Sequence, residues 1–246
     1  MRSTNVMQIN GNVVLVTGAN RGIGHALVNA FLARGARKVY AAARKPETLG
    51  EPALDARVVP VELDITDLAR VAAVAATATD VTILVNNAGS LAFADPLGGD
   101  LAAIEADWRT NYLGTLAMSR AFAPVLERNG GGALVNVLTL VAYAPVAAFA
   151  GYSAAKAASA STTTALRARL ADKKIMVHGV YPAAVDTDMS RDFAIPKADP
   201  AAVAEAILDG VESGQTTIHP DPMSRNGYQL WRDDPAALEA QMAALG

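Results

Sequence analysis

The chain has 246 residues, of which 52% are hydrophobic, and its formal net charge is −3 at pH 7. This size suits one α/β domain with a two-sided sheet, and the slightly acidic balance argues against a nucleic-acid partner. The chain has no cysteine, which excludes disulfides and thiolate ligands, and its three histidines are far apart, so we expect no metal site.

The N-terminal residues carry no basic stretch followed by an apolar one, so we expect no export signal and a cytoplasmic location. Residues 1–10 are predicted to be a loose leader. The apolar stretch 133–152 is interrupted by Asn136 and Pro145, and its first half fits a buried strand better than a membrane span. No membrane partner is therefore expected.

Segments of strand length alternate with segments of helical period along the chain. Strands are predicted at residues 12–17, 38–43, 57–63, 81–86, 133–138, 175–181 and 215–219. Helices are predicted at residues 26–32, 67–78, 101–128, 152–172 and 200–212, and a last short helix begins at 234–235. Such alternation predicts a doubly wound parallel sheet in one domain over residues 1–246, with ligands beyond the carboxyl ends of the strands.

A glycine-rich turn follows the first predicted strand. It contains Gly18, Gly22 and Gly24, and a helix follows it. A strand, glycine turn and helix in this order let the backbone approach a pyrophosphate that faces the helix N-terminus. The spacing differs from GxGxxG, and by itself the turn could equally be a tight strand-to-helix connection.

Tyr152 and Lys156 are four residues apart on a predicted helix, so they share one face. A lysine ammonium close to a phenol lowers the phenol pKa from its usual value near 10. Such a tyrosine can exchange a proton with a reacting oxygen near neutral pH. Taken alone, the pair is more often a solvated helix face.

Five motifs in order resemble the short-chain dehydrogenases/reductases. They are the 17–24 turn, Asn-Asn-Ala-Gly at 86–89, Asn111, the Tyr152/Lys156 pair and Pro-Ala-Ala-Val-Asp-Thr at 182–187. The resemblance covers about residues 12–190. It implies a Rossmann fold whose seven-stranded parallel sheet has the order 3-2-1-4-5-6-7, and hydride transfer with a nicotinamide cofactor. The alanine-rich helices at 101–128 and 152–172 also predict a homo-oligomer, a tetramer or a dimer.

Basic residues stand where this resemblance predicts the choice of cofactor. The second strand ends without a carboxylate and continues into Arg44, while Arg21 lies inside the glycine turn. By resemblance these arginines indicate NADP(H), and Arg44 is the better anchor because a guanidinium grips phosphate with two hydrogen bonds. The alternative is that Arg44 and Lys45 are ordinary loop charges.

The resemblance also carries over a set of cofactor-binding residues. Asp64 and Ile65 would meet the adenine, Asn87 would lie along the cofactor, and Val185 and Thr187 would hold the nicotinamide carboxamide. The full set is Gly18, Asn20, Arg21, Gly22, Ile23, Gly24, Arg44, Asp64, Ile65, Asn87, Tyr152, Lys156, Pro182, Val185 and Thr187. Ala183 follows the proline where the family usually has glycine, which narrows the mouth of the site.

The predicted catalytic residues are Asn111, Thr139, Tyr152 and Lys156. Tyr152 would protonate the alkoxide, and Lys156 would tune Tyr152 and hold the nicotinamide ribose. Asn111 would shape a helix kink and hold a water of the proton relay. Thr139 occupies the family's serine position and keeps a hydroxyl donor. Its extra methyl leaves open a working substitute, weakened turnover or an inactive scaffold.

The predicted pocket wall is apolar and partly aromatic. It comprises Ser90, Leu91, Phe93, Leu140, Val141, Tyr143, Phe149, Ala183, Ala184, Met189 and Phe193. Such a wall favours a neutral ketone or aldehyde. The segment at 188–199 is shorter than the usual lid of the family it resembles, and by that resemblance an open cleft is expected that admits bulky or varied substrates. Reduction of a 3-oxoacyl thioester or an imine, or a catalytically weak nucleotide-binding protein, are the alternatives.

Overall fold

The computed structural model describes residues 7–245, which form a central sheet with helices on both faces. The strands in this part are β1 Val13–Thr17, β2 Lys38–Ala43, β3 Val58–Glu62, β4 Ile83–Asn86, β5 Gly132–Val137, β6 Ile175–Val180 and β7 Thr217–Ile218. The helices are α1 Gly22–Ala33, α2 Leu68–Thr77, α3 Leu101–Trp108, α4 Thr115–Arg128, α5 Ala150–Leu170, α6 Pro200–Glu212, α7 Pro222–Asp233 and α8 Pro235–Ala243.

The seven strands of the described chain pair in the order β3-β2-β1-β4-β5-β6-β7, and every pair is parallel. This confirms the predicted doubly wound Rossmann fold in a single domain. The order reverses at β1, where Val14 pairs with Val39 on one side and with Ile83 on the other. The carboxyl ends of β1 and β4 therefore flank a crevice, which is where such sheets bind ligands.

Burial on both faces explains why the central strands are continuous apolar runs. All five residues of β1 are buried: Val14 and Val16 pack against α1 and α6, while Val13 and Leu15 pack on the α2 and α4 side. A parallel sheet covered by helices on both faces requires this pattern, since neither face meets water.

Three elements differ from the sequence prediction. The helix predicted at 101–128 is divided by a π-helical turn, Arg109–Gly114, between α3 and α4. The strand predicted at 215–219 is two residues long, and α7 was not predicted at all. Helix α7 carries Gly227, where an added Cβ would lie 2.6 Å from Leu140, so α7 packs directly on the chain beyond β5.

The predicted leader at 1–10 is only partly within the described residues, since 1–6 lie outside them. Within residues 7–10, the prediction of a loose leader is wrong at Ile9. This residue is fully buried, and its N–H donates to the side chain of Glu212 at 3.1 Å. Its apolar side chain completes the core beneath α1. Among the helices described, none is both long enough and apolar enough to cross a bilayer.

Candidate active site

A cleft with a volume of about 1800 Å³ runs along the carboxyl edge of the sheet. Pockets for single small ligands usually measure ~300–1,000 Å³, so this cleft has room for two ligands side by side. Fourteen of the fifteen predicted cofactor residues line it: Gly18, Asn20, Arg21, Gly22, Ile23, Arg44, Asp64, Ile65, Asn87, Tyr152, Lys156, Pro182, Val185 and Thr187. Of the predicted catalytic residues, Thr139, Tyr152 and Lys156 line it.

Gly24 is the one predicted cofactor residue outside the cleft wall. An added Cβ there would collide with the carbonyl of Gly18 and with Asn87, so this glycine permits α1 to start against the end of β4. Gly18 has a φ of +64°, and its own Cβ would lie 2.9 Å from Cα of Ala88. Both glycines thus bring the turn close to the chain after β4.

The N-terminus of α1 opens into this cleft without an internal partner. Within residues 7–245, no side chain caps this helix and its first turn holds no acidic residue. By contrast, aspartates cap α2, α3, α6, α7 and α8. Uncapped N–H groups and the positive end of the helix dipole favour an anionic group at this position.

The predicted catalytic pair, Tyr152 and Lys156, lies at the inner end of the cleft, and both side chains are at least 90% buried. Nζ of Lys156 donates to the carbonyl of Val137 at 2.8 Å and lies 5.8 Å from the ring centre of Tyr152. Burial lowers the pKa of Lys156 to about 8, although the negative charge of Asp107 opposes the change. The ammonium form therefore still predominates at pH 7.

The pKa of Tyr152 differs from the expectation that Lys156 lowers it. Burial raises this pKa above its ordinary value, contact with the Thr139 hydroxyl opposes the rise, and the charge of Asp107 adds to it. Desolvation dominates because the phenol is buried while the ammonium is directed at Val137. Tyr152 is thus held protonated at neutral pH, which suits a proton donor.

Thr139 lies two residues beyond the end of β5, and its hydroxyl lines the cleft beside Tyr152. Its Oγ1 accepts a bond from the N–H of Val141 at 3.4 Å, which leaves its proton free to be donated. The side chain is 8% exposed. The extra methyl of threonine therefore does not prevent its hydroxyl from pointing at Tyr152.

Asn111 sits in the π-helical turn and is fully buried behind the cleft wall. Its side-chain amide donates to the carbonyls of Ser90 and Asp107 at 2.9 and 3.0 Å, and its own carbonyl accepts from Ser159 at 2.8 Å. The predicted helix distortion is therefore present at this residue. Its role in a proton relay stays a prediction.

Asp107 is a buried carboxylate that sequence reasoning missed. It accepts from the Ser90 hydroxyl at 2.6 Å and from the N–H of Ala92 at 2.8 Å, so it holds the chain after β4 against α3. It is also the charged group that acts on both Tyr152 and Lys156. The sequence offered one signal for it, since Asp107 stands one helical turn before Asn111 and therefore on the same helix face.

The two arginines predicted to meet a 2′-phosphate differ in their surroundings. Arg44 lines the cleft beyond β2, and its charge helps to lower the pKa of Asp64, where hydrogen bonds from Thr66 also outweigh desolvation. Arg21 forms an ion pair with Asp188 at 3.6 Å across the cleft. Arg44 is therefore the more available cation.

Residues 7–245 contain no group of three or more histidine, aspartate or glutamate side chains placed to hold a metal ion. The polar side chains of the cleft are instead hydroxyl, amide, guanidinium and ammonium groups, and its few carboxylates are not grouped as metal ligands would be. Such donors suit an anionic dinucleotide and a carbonyl oxygen.

These motifs and this fold coincide with a known family. The family model described as short chain dehydrogenase matches residues 12–197. The chain belongs to the short-chain dehydrogenase family.

Relatives of known structure or curated function agree with this assignment. A short chain dehydrogenase from Burkholderia cenocepacia J2315, solved in complex with NADP, is 43% identical with a TM-score of 0.91, covering 96% of this chain and 99% of that one. An NADP-dependent 3-hydroxy acid dehydrogenase from Schizosaccharomyces pombe is 31% identical over 195 residues, 74% of this chain and 75% of that protein.

A third relative is longer. A dehydrogenase/reductase SDR family protein 7-like from Drosophila melanogaster is 31% identical over 198 residues, which are 74% of this chain. The match spans 60% of that protein's own length.

The substrate end of this short-chain dehydrogenase differs from its predicted wall. Phe93 is 63% exposed and packs behind Phe149 and Phe193, outside the cleft surface. Tyr143 points away and stacks on Tyr181 with ring centres 4.7 Å apart. The other predicted wall residues line the cleft: Ser90, Leu91, Leu140, Val141, Phe149, Ala183, Ala184, Met189 and Phe193.

Three wall residues were missed because they come from the last two helices. Met223 lies in the first turn of α7, Met242 lies in α8, and Leu245 follows α8, and all three line the cleft. A period of 3.6 shows only that such residues face something apolar. The sequence carried no signal that they face the site rather than the core.

Proposed function

We propose that this protein is an NADPH-dependent reductase of neutral, apolar or bulky ketones and aldehydes, and in reverse a dehydrogenase of secondary alcohols. The observation that carries the proposal is the placement of Tyr152, Thr139 and Lys156 at the inner end of a cleft whose outer end holds Arg44 and the open N-terminus of α1. The same cleft would thus bind the anionic phosphates of the cofactor at one end and the carbonyl group of the substrate at the other.

The residues present fit NADP(H) on this structure's own features. The uncapped start of α1 suits the pyrophosphate, Arg44 suits the 2′-phosphate, and Asp64 is an acceptor for the adenine amino group. The relatives from Burkholderia cenocepacia and Schizosaccharomyces pombe, described with NADP, support the same choice. When bound, NADPH supplies the hydride that adds to the carbonyl carbon.

Side chains of the protein would supply the proton that the carbonyl oxygen takes up during reduction. Tyr152 is held protonated by burial, so it can donate its phenolic proton to the carbonyl oxygen as negative charge develops there. The Thr139 hydroxyl donates a hydrogen bond to the same oxygen. Lys156 is cationic at pH 7 and its Nζ lies 5.8 Å from the ring centre of Tyr152, so its charge would favour the phenolate that remains, although it does not outweigh desolvation of the phenol in the resting site.

The preference for a neutral carbonyl rests on the wall of the substrate end. Apolar side chains dominate it, and the exposed carboxylate of Asp192 lies along its rim, where it disfavours an anionic substrate. Arg191 is engaged in an ion pair with Asp188.

The proposal also includes a homo-oligomeric state, a tetramer or a dimer, and a cytoplasmic location.

An activity screen tests the proposal. Butan-2-one, propiophenone, benzaldehyde and an acetoacetyl thioester are each offered with NADPH and with NADH, and cofactor oxidation is followed by absorbance. We expect turnover of the ketones and the aldehyde with NADPH and none in Tyr152→Phe, which should still bind NADPH. Turnover of the thioester alone would replace this substrate class with 3-oxoacyl reduction. Cofactor binding without turnover of any carbonyl would indicate a nucleotide-binding protein.

A further inference from the structure

A third apolar cluster surrounds the catalytic tyrosine, apart from the two cores that flank the sheet. In it, Leu238 and Met242 of α8 pack with Leu140, Phe149 and Tyr152. Leu238 is fully buried and Met242 is 5% exposed. Helix α8 is therefore anchored to the active site by its own apolar face, with Met242 at the cleft.

One side of the substrate end is aromatic. Phe149 and Phe193 stack with ring centres 5.9 Å apart, and Phe93 meets both rings edge-on at 6.0 and 5.9 Å. Phe149 also meets the ring of Tyr152 edge-on at 6.1 Å. An aromatic surface thus reaches the catalytic phenol itself, and flat groups pack well on such surfaces.

The other contributions come from flexible side chains. Met223, Met242 and Leu245 line the same cleft from the last two helices. Methionine is unbranched and polarizable, so it adapts to irregular apolar shapes and makes favourable contacts with aromatic rings. A phenylalanine surface combined with such side chains suits a flat apolar group of variable outline.

We propose that Met242, assisted by Met223 and Leu245, is a specificity-determining residue that packs an aryl substituent of the carbonyl substrate against Phe149 and Phe193. This inference rests on the proposed reductase function and names its substrate class, an aryl ketone or the corresponding alcohol. Small aliphatic ketones reach Tyr152 and Thr139 without using this surface. Only a substrate with an aryl group gains binding energy from this surface.

Methyl NMR tests binding without turnover. The protein, labelled at its seven methionine methyl groups, is titrated with propiophenone in the presence of NADP⁺. We expect the signals of Met242 and Met223 to shift. The signal of Met118, fully buried beneath the sheet, is the internal control and stays in place. Propiophenone that shifts neither Met242 nor Met223 would overturn the inference.

Kinetics supply the second test, as the ratio of kcat/KM for propiophenone to that for butan-2-one. Met242→Ala should lower this ratio about tenfold, in the range of discrimination that apolar pockets show. Met242→Leu, which nearly conserves volume, should restore it. Gln241→Ala, one residue away on the exposed side of α8, is the matched control and should leave the ratio unchanged.

The two readouts separate this inference from the proposed function. Met242 shifts without turnover of any ketone would contradict the reductase proposal and support the aryl site. Turnover with a ratio that Met242→Ala leaves unchanged would contradict the aryl site and support the reductase. NADPH affinity, measured by fluorescence for each variant, should be unaltered, which distinguishes a substrate effect from a displaced cofactor site.

Discussion

The ammonium of Lys156 donates to the main-chain carbonyl of Val137 at 2.8 Å. This bond joins the N-terminal half of α5 to the last residue of β5, and the charged end of the lysine is buried there. The pKa of Lys156 falls to about 8 because burial disfavours the charged form. The site therefore contains a buried cation that the fold stabilises poorly.

Lys156→Met should raise stability and abolish most activity. The change in lysine pKa from 10.5 to about 8 corresponds to roughly 3 kcal/mol of unfavourable burial at pH 7. Losing the bond from this charged donor to Val137 removes about 1.5 kcal/mol. We expect a net gain of about 1–2 kcal/mol in the free energy of unfolding, measured by urea denaturation at pH 7.

The pH dependence of that gain is the control. Between pH 8 and 10.5 the unfolded chain holds a proton on Lys156 that the folded protein has released, so this group adds stability as pH rises. The advantage of Lys156→Met should shrink between pH 7 and pH 9.5. An advantage that stays constant would show that the charge of Lys156 is not the cause.

Thr139→Val keeps the shape of the side chain and removes its donor. Loss of a donor directed at developing charge typically costs ~10²–10³ in turnover. Thr139→Ser should stay active, since the hydroxyl remains. Tyr152→Phe should be less active than either, because it removes the donated proton, while NADPH affinity survives. The measurement is kcat for each variant on one ketone.

Ser153→Ala is the matched control for Thr139. The Ser153 hydroxyl donates to the carbonyl of Phe149 at 3.2 Å, and that of Ser90 donates to Asp107, so both of these hydroxyls are engaged elsewhere. Ser153 does not line the cleft, so Ser153→Ala should lower turnover much less than Thr139→Val. Normal turnover by Thr139→Val would mark Thr139 as a bystander.

Ala43→Asp combined with Arg44→Ser should reverse the cofactor preference. The arginine is lost and the new carboxylate repels a 2′-phosphate, at a cost of at least ~1.5–3 kcal/mol, or about tenfold or more in NADPH affinity. Arg21→Ala should cost less, because Arg21 is paired with Asp188. Isothermal titration with NADPH and NADH measures both. Equal affinities in the unmodified protein would show that neither arginine meets the phosphate.

Asn111→Leu should destabilise the protein and reduce turnover. The substitution leaves the partly buried N–H and carbonyl of Ser90 without their side-chain partner, and it removes the buried bond to the carbonyl of Asp107. An unpaired buried polar group costs about 1–3 kcal/mol. Thermal unfolding measures the loss. Ser159→Ala, which removes only the bond to the carbonyl of Asn111, should cost about 1 kcal/mol, and an equal loss in both would argue against the side-chain bonds.

A tetramer or dimer is the expected state in solution. Helix α5 exposes the small side chains of Ala154, Ala165 and Ala168, and beside α4 Trp108 and Leu113 are 39% and 44% exposed. Small residues let two helices pack closely, and exposed apolar groups favour association. Light scattering at micromolar concentration should give a multiple of the 25.4 kDa chain mass, and Ala154→Arg should lower it. A monomer mass would contradict the prediction.

The order of the elements and most of the cofactor groove were predictable from the sequence. Strand-like apolar runs that alternate with helical periods imply a parallel sheet, and each motif at the end of such a run must lie at the same edge. Gly18, Arg44, Asp64 and Val185 could be placed on the groove in this way. Local signals were sufficient because each residue lies within a few positions of its strand.

Only the tertiary structure decided the electrostatics of the site and the substrate wall. The pKa of Tyr152 depends on its burial and on Asp107, and neither follows from the spacing of Tyr152 and Lys156. Met223 and Met242 reach the cleft because α7 and α8 fold back over the chain after β5, where Gly227 allows close packing on Leu140. Such contacts join residues about ninety positions apart, and desolvation depends on the whole surrounding fold, which no local pattern records.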